Sequence, residues 1–158
     1  MRAKVSMAIG FAMAEQTDAE ALVALRILAM RESLERLGRF DPMRSRERFL
    51  FAFSPQHTRH ILVDGERAGF VVVKPDGECL LLDHLYIDPR FQNRGIGASV
   101  LGAVFAEADA QRVPLKVGAL RGSDSNRFYL RHGFTLVKED EWDIYYVRPA
   151  RAERGGLE

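Results

Sequence analysis

Cysteine is nearly absent from this chain, which has 158 residues and a single cysteine, Cys79. An intramolecular disulfide is therefore excluded, and the composition fits a protein of a reducing compartment. We expect a cytoplasmic location on this ground. No cysteine–histidine signature accompanies Cys79, so a covalent mechanism through its thiol is not expected.

Long apolar runs and an excess of one charge are absent as well. No apolar run approaches the roughly 20 residues that a membrane-spanning helix needs, and 23 basic residues face 22 acidic ones. The balanced charge gives no general attraction to nucleic acid or to an acidic membrane. A nucleic-acid-binding domain is therefore the least favoured class, since no basic surface interleaved with aromatic residues is evident.

The chain length predicts one domain with its own core, which we place at residues 1–150. The polar, glycine-containing segment 151–158 is expected to be a flexible tail. Residues 1–16 resemble a signal peptide only loosely, because Glu15, Asp18 and Glu20 follow a short apolar part at once. We interpret them as an edge strand that leads into a helix.

Four segments have the apolar spacing of helices. The first covers residues 17–37, where Thr17 and Glu20 form a capping-box pair and Gly38 is a stop signal. The second follows Pro42, and the fourth, over residues 124–132, ends at Gly133. The third begins after residue 97, and its predicted buried face is Ala98, Leu101, Val104, Phe105 and Ala108.

The remaining segments have the two-residue period of strands. Residues 59–89 hold three β-rich runs separated by the turn signals Asp64-Gly65 and Pro75-Asp76-Gly77. The predicted order is β α α β β β α β α β β. A helix between the strand that ends near Ile87 and the strand that starts near Leu115 implies a parallel pair in a mostly antiparallel sheet. The class is α+β, or mixed α/β.

A phosphate cradle is suggested by Gln-Asn-Arg-Gly-Ile-Gly at residues 92–97, where a strand gives way to a helix. Free amides at a helix N-terminus attract anions, and glycine lets consecutive amides converge on one point. A dinucleotide fingerprint fails because Val100 stands where a third glycine or alanine is needed. A P-loop fails because Gly-Lys-Ser/Thr is absent. The third candidate ligand for this loop is the diphosphate of coenzyme A.

The same stretch resembles motif A of the GNAT acyltransferases, the Gcn5-related N-acetyltransferase superfamily, whose pattern is Gln/Arg-x-x-Gly-x-Gly/Ala. Gln92, Gly95 and Gly97 fill that pattern, after a strand that ends in Leu-Tyr-Ile-Asp-Pro. Residues 126–134 resemble motif B, in which a tyrosine stands four residues before Gly-Phe. The resemblance implies the GNAT fold, with a mixed, mostly antiparallel sheet of about six or seven strands, about four helices and a splayed parallel strand pair.

Acetyl-CoA is the cofactor that this resemblance implies. The backbone of Leu85 and Ile87, on the splayed strand, would pair with the pantetheine arm. In many relatives, the asparagine expected near the sulfur stands at the position that Ser123 occupies in this chain. Asn126 therefore either replaces that asparagine or caps the helix. The loop amides that would hold the pyrophosphate belong to Gln92, Asn93, Arg94, Gly95, Ile96, Gly97 and Ala98.

The resemblance also suggests the groups that move protons. Tyr129 aligns with the tyrosine that acts as general acid toward the departing thiolate, which also counts it among the cofactor-binding residues; a core tyrosine is the alternative. Asp83 stands at one of the two places where relatives carry a base, and Leu81 occupies the other. Strand alternation puts Leu81, Asp83, Leu85 and Ile87 on one face and Leu82, His84, Tyr86 and Asp88 on the other. His84 is therefore the second choice for the base.

The acceptor cannot be identified from these residues. Specificity in this fold usually comes from the first two helices and the last turn, here an arginine-rich segment and Trp142, Tyr145 and Tyr146. The arginines suit an anionic acceptor, but a solvated helix face is favoured because acidic residues are interleaved with them. No metal is expected, since His57 and His60 have no cysteine or carboxylate cluster beside them.

The sequence therefore predicts an acetyl-CoA-dependent N-acetyltransferase. Its acceptor is expected to be a primary amine of a small molecule or peptide, attacked directly in a ternary complex. The alternative is a catalytically weak or inactive coenzyme A-binding regulatory module, because Leu81 is not a base and Asn126 is shifted. A homodimer is an expectation from the family only.

Overall fold

A seven-stranded sheet with four helices forms the part of the chain that the computed structural model describes, residues 7–151. The strands lie in the order β1-β2-β3-β4-β5-β7-β6, and β4 with β5 is the parallel pair. The predicted element order and the mixed, mostly antiparallel sheet are confirmed. The strands are β1 Ile9–Met13, β2 Thr58–Val63, β3 Glu66–Asp76, β4 Cys79–Ile87, β5 Leu115–Leu120, β6 Thr135–Glu139 and β7 Asp143–Arg148, and the helices are α1 Ala19–Arg36, α2 Pro42–Ala52, α3 Ile96–Gln111 and α4 Ser125–Arg131.

Helices cover both faces of the sheet and bury a separate core on each. On one face, α3 and α4 pack on β4, β5 and β7 around side chains such as Val100, Leu101 and Phe134. On the other face, α1 and α2 pack on β3 around Leu22 and Phe49. Apolar area removed from water on both faces is the main driving force for this arrangement.

Two local predictions were wrong. The capping box is made by Glu15 and Asp18 around a short 3-10 turn, and α1 begins after it, so Thr17 and Glu20 do not form the pair. In α3, Val100 is buried whereas Ala98 is exposed, because the helix starts with the buried Ile96 and its apolar face follows from that residue. The rest of the predicted face is correct, since Leu101, Val104 and Ala108 are buried and Phe105 is half-buried.

A β-bulge in β4 changes which side chains share a face. His84 pairs with Val72 and Leu82 with Val73, so Asp83 between them has no partner in β3. Leu82 therefore lies on the α3 side together with Leu85. The predicted alternation was wrong because a bulge inserts one residue and reverses the parity of the strand beyond it.

The parallel pair opens soon after the bulge. Pairing between β4 and β5 ends at Leu82 and Val117, although β4 continues to pair with β3 as far as Ile87. The carboxyl-terminal half of β4 is thus exposed along the edge that faces β5. This opening is the predicted splay.

Some predictions fall outside the described residues. Residues 1–6 and the greater part of the predicted tail, 152–158, are not described. β1 is an edge strand paired with β2, as expected for the segment near the start of the chain. Among the helices of residues 7–151, none is long and apolar enough to cross a membrane.

Gly69 offers a direct test of the β3–β4 packing that supports the opening. A Cβ at Gly69 would overlap the carbonyl oxygen of Tyr86 and lie 3.1 Å from the Cα of Ile87. We expect Gly69→Ala to destabilise the fold by about 3 kcal/mol and to lower the melting temperature by roughly 6–12 °C. In Gly10→Ala, the matched control on edge strand β1, the new methyl group meets nothing within 4 Å. Equal melting temperatures for the two variants would contradict this packing.

Candidate functional site

The loop before α3 presents free backbone amides to a cavity. Gly95 is the N-cap of the helix with φ of 77°, and Asn93 has φ of 66°, so the chain turns sharply just before Ile96. The first helical amides have no acceptor within the described chain, as expected at a helix N-terminus. A cavity of about 430 Å³ lies against this loop and is lined by Gln92, Asn93, Gly95, Ile96, Gly97, Ala98 and residues of α4. The arrangement suits an anion.

Side chains of the same loop are tied back to the protein. The side-chain amide of Gln92 donates to the carbonyl oxygen of Ile87 at 2.9 Å. Arg94 donates to the carbonyl oxygen of Arg90 at 3.2 Å and lies over the ring of Phe91. Anion binding would therefore depend on the backbone amides more than on these side chains. The carbonyl of Ile87 is already occupied, which leaves Leu85 as the freer of the two predicted backbone positions.

A second cavity of about 380 Å³ fills the opening between β4 and β5. Its walls are the splayed strands, the side of α1 around Ala29 and Ser33, and the amino-terminal part of α4. It shares Ile87, Gln92 and Gly97 with the loop cavity, so the two form one continuous cleft. A long ligand could thus extend from the loop into the sheet.

Tyr129 lines this cleft from α4. Its ring packs against Phe128, Phe134 and Tyr146 and is 7% exposed. Its hydroxyl has no hydrogen-bond partner among the described residues. The oxygen is not fully buried either, and Tyr129 lines the cleft, so the hydroxyl faces the cleft. Burial raises the pKa of Tyr129. The hydroxyl therefore keeps its proton and is available as a donor.

Asn126 is engaged inside the protein. Its amide nitrogen donates to the carbonyl oxygens of Leu120 and Ser123 at 2.9 and 3.0 Å, and its oxygen accepts from the hydroxyl of Tyr146 at 2.7 Å. These bonds hold the loop between β5 and α4 on β7. Asn126 is not among the residues that line the cleft, and its contact with a cofactor stays a prediction.

The bulge brings the two candidate bases together. Asp83 and His84 lie on the α1–α2 side of β4, and their Oδ2 and Nε2 atoms are 3.8 Å apart. Lys74 holds the same Asp83 oxygen at 2.9 Å. Burial lowers the pKa of His84 from 6.5 to about 4. The carboxylate of Asp83 raises this pKa, whereas the cations of Arg26 and Lys74 lower it further. His84 is therefore neutral at physiological pH.

Tyr86 and Arg26 were missed from the sequence. The hydroxyl of Tyr86 lies 3.4 Å from Nδ1 of His84, and Arg26 lies over the Tyr86 ring. Burial raises the pKa of Tyr86, and Arg26 opposes that shift. A signal was present in α1, because Arg26 stands four residues after the buried Leu22, on the face that turns toward the sheet.

The arginine-rich segment is largely used for structure. Arg36 donates to the carbonyl oxygen of Gly122 at 2.9 Å, and Arg46 pairs with Glu20. Arg39 stacks on Trp142, with 3.8 Å from its guanidinium carbon to the ring centroid. These contacts tie the end of α1 to the loops after β5 and β6. They agree with the structural interpretation of the arginines rather than with an anionic acceptor.

The histidines outside the cleft have ordinary partners. His60 is buried and its Nε2 lies 3.0 Å from Asp18, whereas His57 contacts Ser54 at 2.7 Å. Within residues 7–151, no group of three or more potential ligands could hold a metal ion.

Of the paired tyrosines, Tyr146 is buried and Tyr145 is half-buried, as strand alternation predicted.

Comparison with known proteins relates this geometry to one family. Residues 56–136, about half of the chain, match the model of a family described as an acetyltransferase (GNAT) domain. Among curated protein sequences, none matches the chain significantly.

Solved structures share the fold at low sequence identity. The PaiA N-acetyltransferase of Thermoplasma acidophilum in complex with coenzyme A has a TM-score of 0.74 and 16% identity, over 90% of this chain and 99% of that one. An acetyltransferase from Thermus thermophilus has a TM-score of 0.71 and 21% identity, over 89% and 96%. An N-acetylglutamate synthase from Neisseria gonorrhoeae, complexed with coenzyme A and N-acetyl-glutamate, has a TM-score of 0.64 and 18% identity, over 94% and 36%. The predicted GNAT fold is confirmed.

The low pKa of His84 predicts a dependence of stability on pH. A folded-state pKa of about 4, below the ordinary 6.5, means that the unfolded chain binds more protons between these values. The contribution of His84 to the free energy of unfolding is therefore complete above pH 6.5. It decreases as the pH falls toward 4, by roughly 3 kcal/mol at most. Melting temperatures across this range should fall less steeply for His84→Gln than for the unmodified protein. His57→Gln, the matched control outside the cleft, should keep the original slope; a loss of slope in the control alone would contradict the assignment.

Proposed function

The chain belongs to the GNAT acetyltransferase family, and from this premise we propose that it is an acetyl-CoA-dependent N-acetyltransferase. The acceptor is a primary amine of a small molecule or peptide, which attacks directly in a ternary complex. The nitrogen gains a bond to the acetyl carbonyl carbon and loses a proton, while the carbon–sulfur bond breaks and coenzyme A leaves as a thiol. The observation that carries the proposal is the continuous cleft from the α3 loop to Tyr129.

Coenzyme A fits the residues of this cleft. The free amides of Gly95, Ile96, Gly97 and Ala98 would hold the pyrophosphate at the amino terminus of α3. The edge of β4 at Leu85 would pair with the pantetheine arm as a neighbouring strand would. Coenzyme A in the relatives from Thermoplasma acidophilum and Neisseria gonorrhoeae supports this assignment. When bound, acetyl-CoA supplies an activated acetyl thioester.

Tyr129 would serve as the proton donor. Its buried ring is fixed by three aromatic neighbours, and its hydroxyl faces the cleft without a partner in the described chain. A raised pKa keeps the proton on the phenolic oxygen at neutral pH. The hydroxyl can therefore donate a hydrogen bond or a proton where negative charge develops on the leaving sulfur.

Asp83 would take the proton from the acceptor, directly or through water. It borders the cleft at the point where β4 leaves β5, and Lys74 compensates its charge at 2.9 Å. Neutral His84 is the neighbouring alternative, with its Nε2 3.8 Å from the same carboxylate. The amine must lose a proton to attack, so one of these groups or a water chain would have to accept it.

A coenzyme A-binding regulatory module without transfer is the second candidate. The ion pair between Asp83 and Lys74 favours it, because the carboxylate oxygen that would take the proton is already held by an ammonium group. We place the protein in the cytoplasm on the ground of its single cysteine. A homodimer remains an expectation drawn from the family.

Replacement of Tyr129 tests the enzyme assignment. In an assay of thiol release with acetyl-CoA and an amine panel, we expect Tyr129→Phe to lower kcat about 100-fold. Its dissociation constant for acetyl-CoA should change by about twofold or less, because the bond from the hydroxyl to the sulfur strengthens only as negative charge develops there. An unchanged kcat in Tyr129→Phe excludes the donor role, and no thiol release with any amine favours the regulatory module.

A further inference from the structure

A third cavity, of about 730 Å³, lies on the α1–α2 side of the sheet and is left unused by coenzyme A in the proposed function. Helices α1 and α2 cover β3 and β4 on this side, and the buried apolar cluster that the described residues form beneath them includes no residue of β5, β6 or β7. We call this cavity the trough; its walls are Asp76, Leu81, Leu82, Asp83, Lys116, Val117, Gly118, Val137, Lys138, Asp143, Tyr145, Tyr146 and Val147.

The trough meets the cleft where β4 and β5 separate. The two cavities share Asp83, Val117 and Gly118, next to the last parallel pair. Gly118 is also paired with Tyr145, and Asp83 follows the last residue of β4 that pairs with β5, so the three residues border the same opening. A molecule lying in the trough can therefore present one end to Asp83 and to the cleft.

A glycine keeps the trough open. A Cβ at Gly118 would lie 3.3 Å from two ring carbons of Tyr145, so any side chain there would occupy the space beside that ring. Leu81 and Val147 line the trough on the Lys116 side of this glycine, and the ring of Tyr145 lines it beside the glycine. The stretch along the Tyr145 ring thus suits an aliphatic body with no strong polar group.

The charges of the trough are balanced except at one end. Lys116 pairs with Asp76 at 2.7 Å, and Asp83 pairs with Lys74. The backbone amide of Asp143 donates to Asp140, whereas the carboxylate of Asp143 has no ion-pair partner in the described part of the chain. A free carboxylate thus stands at the end of the trough away from Asp83.

Two of the cations near this end are held by aromatic rings. Arg39 stacks on Trp142, and the ammonium of Lys138 lies 5.2 Å from the ring centroid of Tyr145. Burial and Asp140 raise the pKa of Asp143, while Arg39 and Arg48 act in the opposite direction. The Tyr145 face therefore accepts an ammonium group, and a further cation would remove the repulsion between Asp140 and Asp143.

We propose that the trough is the acceptor subsite and that it takes an aliphatic diamine, with the reacting amine at Asp83 and the second ammonium group at Asp143. Asp143 lies two strands from Asp83 and two residues beyond Tyr145 along β7. Strand spacings of about 4.8 Å and rises of about 3.3 Å per residue put the two Cα atoms at least roughly 12 Å apart, since β4 and β5 separate beyond Leu82. A chain of several methylene groups spans the gap that remains between the carboxylates. This inference rests on the proposed function.

Three acceptors that share a six-carbon chain and differ at one end test this inference: 1,6-diaminohexane, hexylamine and 6-aminohexanoate. Their kcat/KM values are compared in an assay of thiol release with acetyl-CoA. We expect the diamine to exceed each of the others by about tenfold, the equivalent of 1.4 kcal/mol from one partly exposed ion pair. In Asp143→Asn this preference should fall to about twofold or less. Glu141→Gln, the matched control, removes a charge from an exposed residue of the same turn that does not line the trough, and should keep the preference.

Each other outcome overturns the inference. Equal kcat/KM for the three acceptors, a preference for 6-aminohexanoate, or a diamine preference that survives in a folded Asp143→Asn excludes the subsite as described. If none of the three is acetylated while acetyl-CoA still raises the melting temperature, the diamine assignment is wrong and the coenzyme A site stands. If acetyl-CoA also fails to bind, the proposed function itself is wrong.

Discussion

The site depends on a single irregularity in the sheet, the β-bulge at Asp83. Up to Leu82, strand β4 is paired on both sides, with β3 and with β5. Beyond the bulge it keeps its pairing with β3 and leaves β5. An exposed strand edge inside a domain leaves backbone groups without partners, and burial of such groups is costly. A ligand that pairs as a strand is one way to satisfy them.

The same bulge places apolar residues of β4 on one face of the sheet and the candidate bases on the other. Reversed parity sends Leu85 and Ile87 to the α3 side, where they pack on the core. It sends His84 and Tyr86 to the α1–α2 side, where Arg26 approaches from α1. Without the extra residue, Asp83 and His84 would point to opposite faces. The cleft and the trough both reach Asp83 at the bulge, whereas the loop cavity lies at the other end of the cleft.

Much of the fold was predictable because its signals are local. Gly38, Gly65, Gly77 and Gly95 all have positive φ, so their positions mark turns and helix ends in the sequence itself. Helical and strand periods gave the element order for the same reason. The glycine loop before α3 and its neighbouring strand were recognisable because anion binding needs that backbone geometry.

Other features depend on contacts between distant residues. A bulge at Asp83 is decided by which residues of β3 lie opposite it, and no residue type in β4 reports that choice. The engagement of Asn126 depends on Tyr146, 20 residues away, and the position of Arg26 over Tyr86 depends on how α1 packs. Charge partners such as Lys74 for Asp83 and aromatic partners such as Trp142 for Arg39 likewise follow from the tertiary structure.

Binding of acetyl-CoA is the central claim, and a thermal titration of the purified protein tests it most directly. A ligand that binds the folded state alone, at about 100 times its dissociation constant, stabilises it by roughly 2.7 kcal/mol, which is several degrees in melting temperature for a domain of this size. Adenosine, which lacks the pyrophosphate, should shift the melting temperature far less. A clear shift with acetyl-CoA and little with adenosine is the result that this account predicts. No shift at millimolar acetyl-CoA would contradict it, because the amides before α3 would then not be a pyrophosphate site.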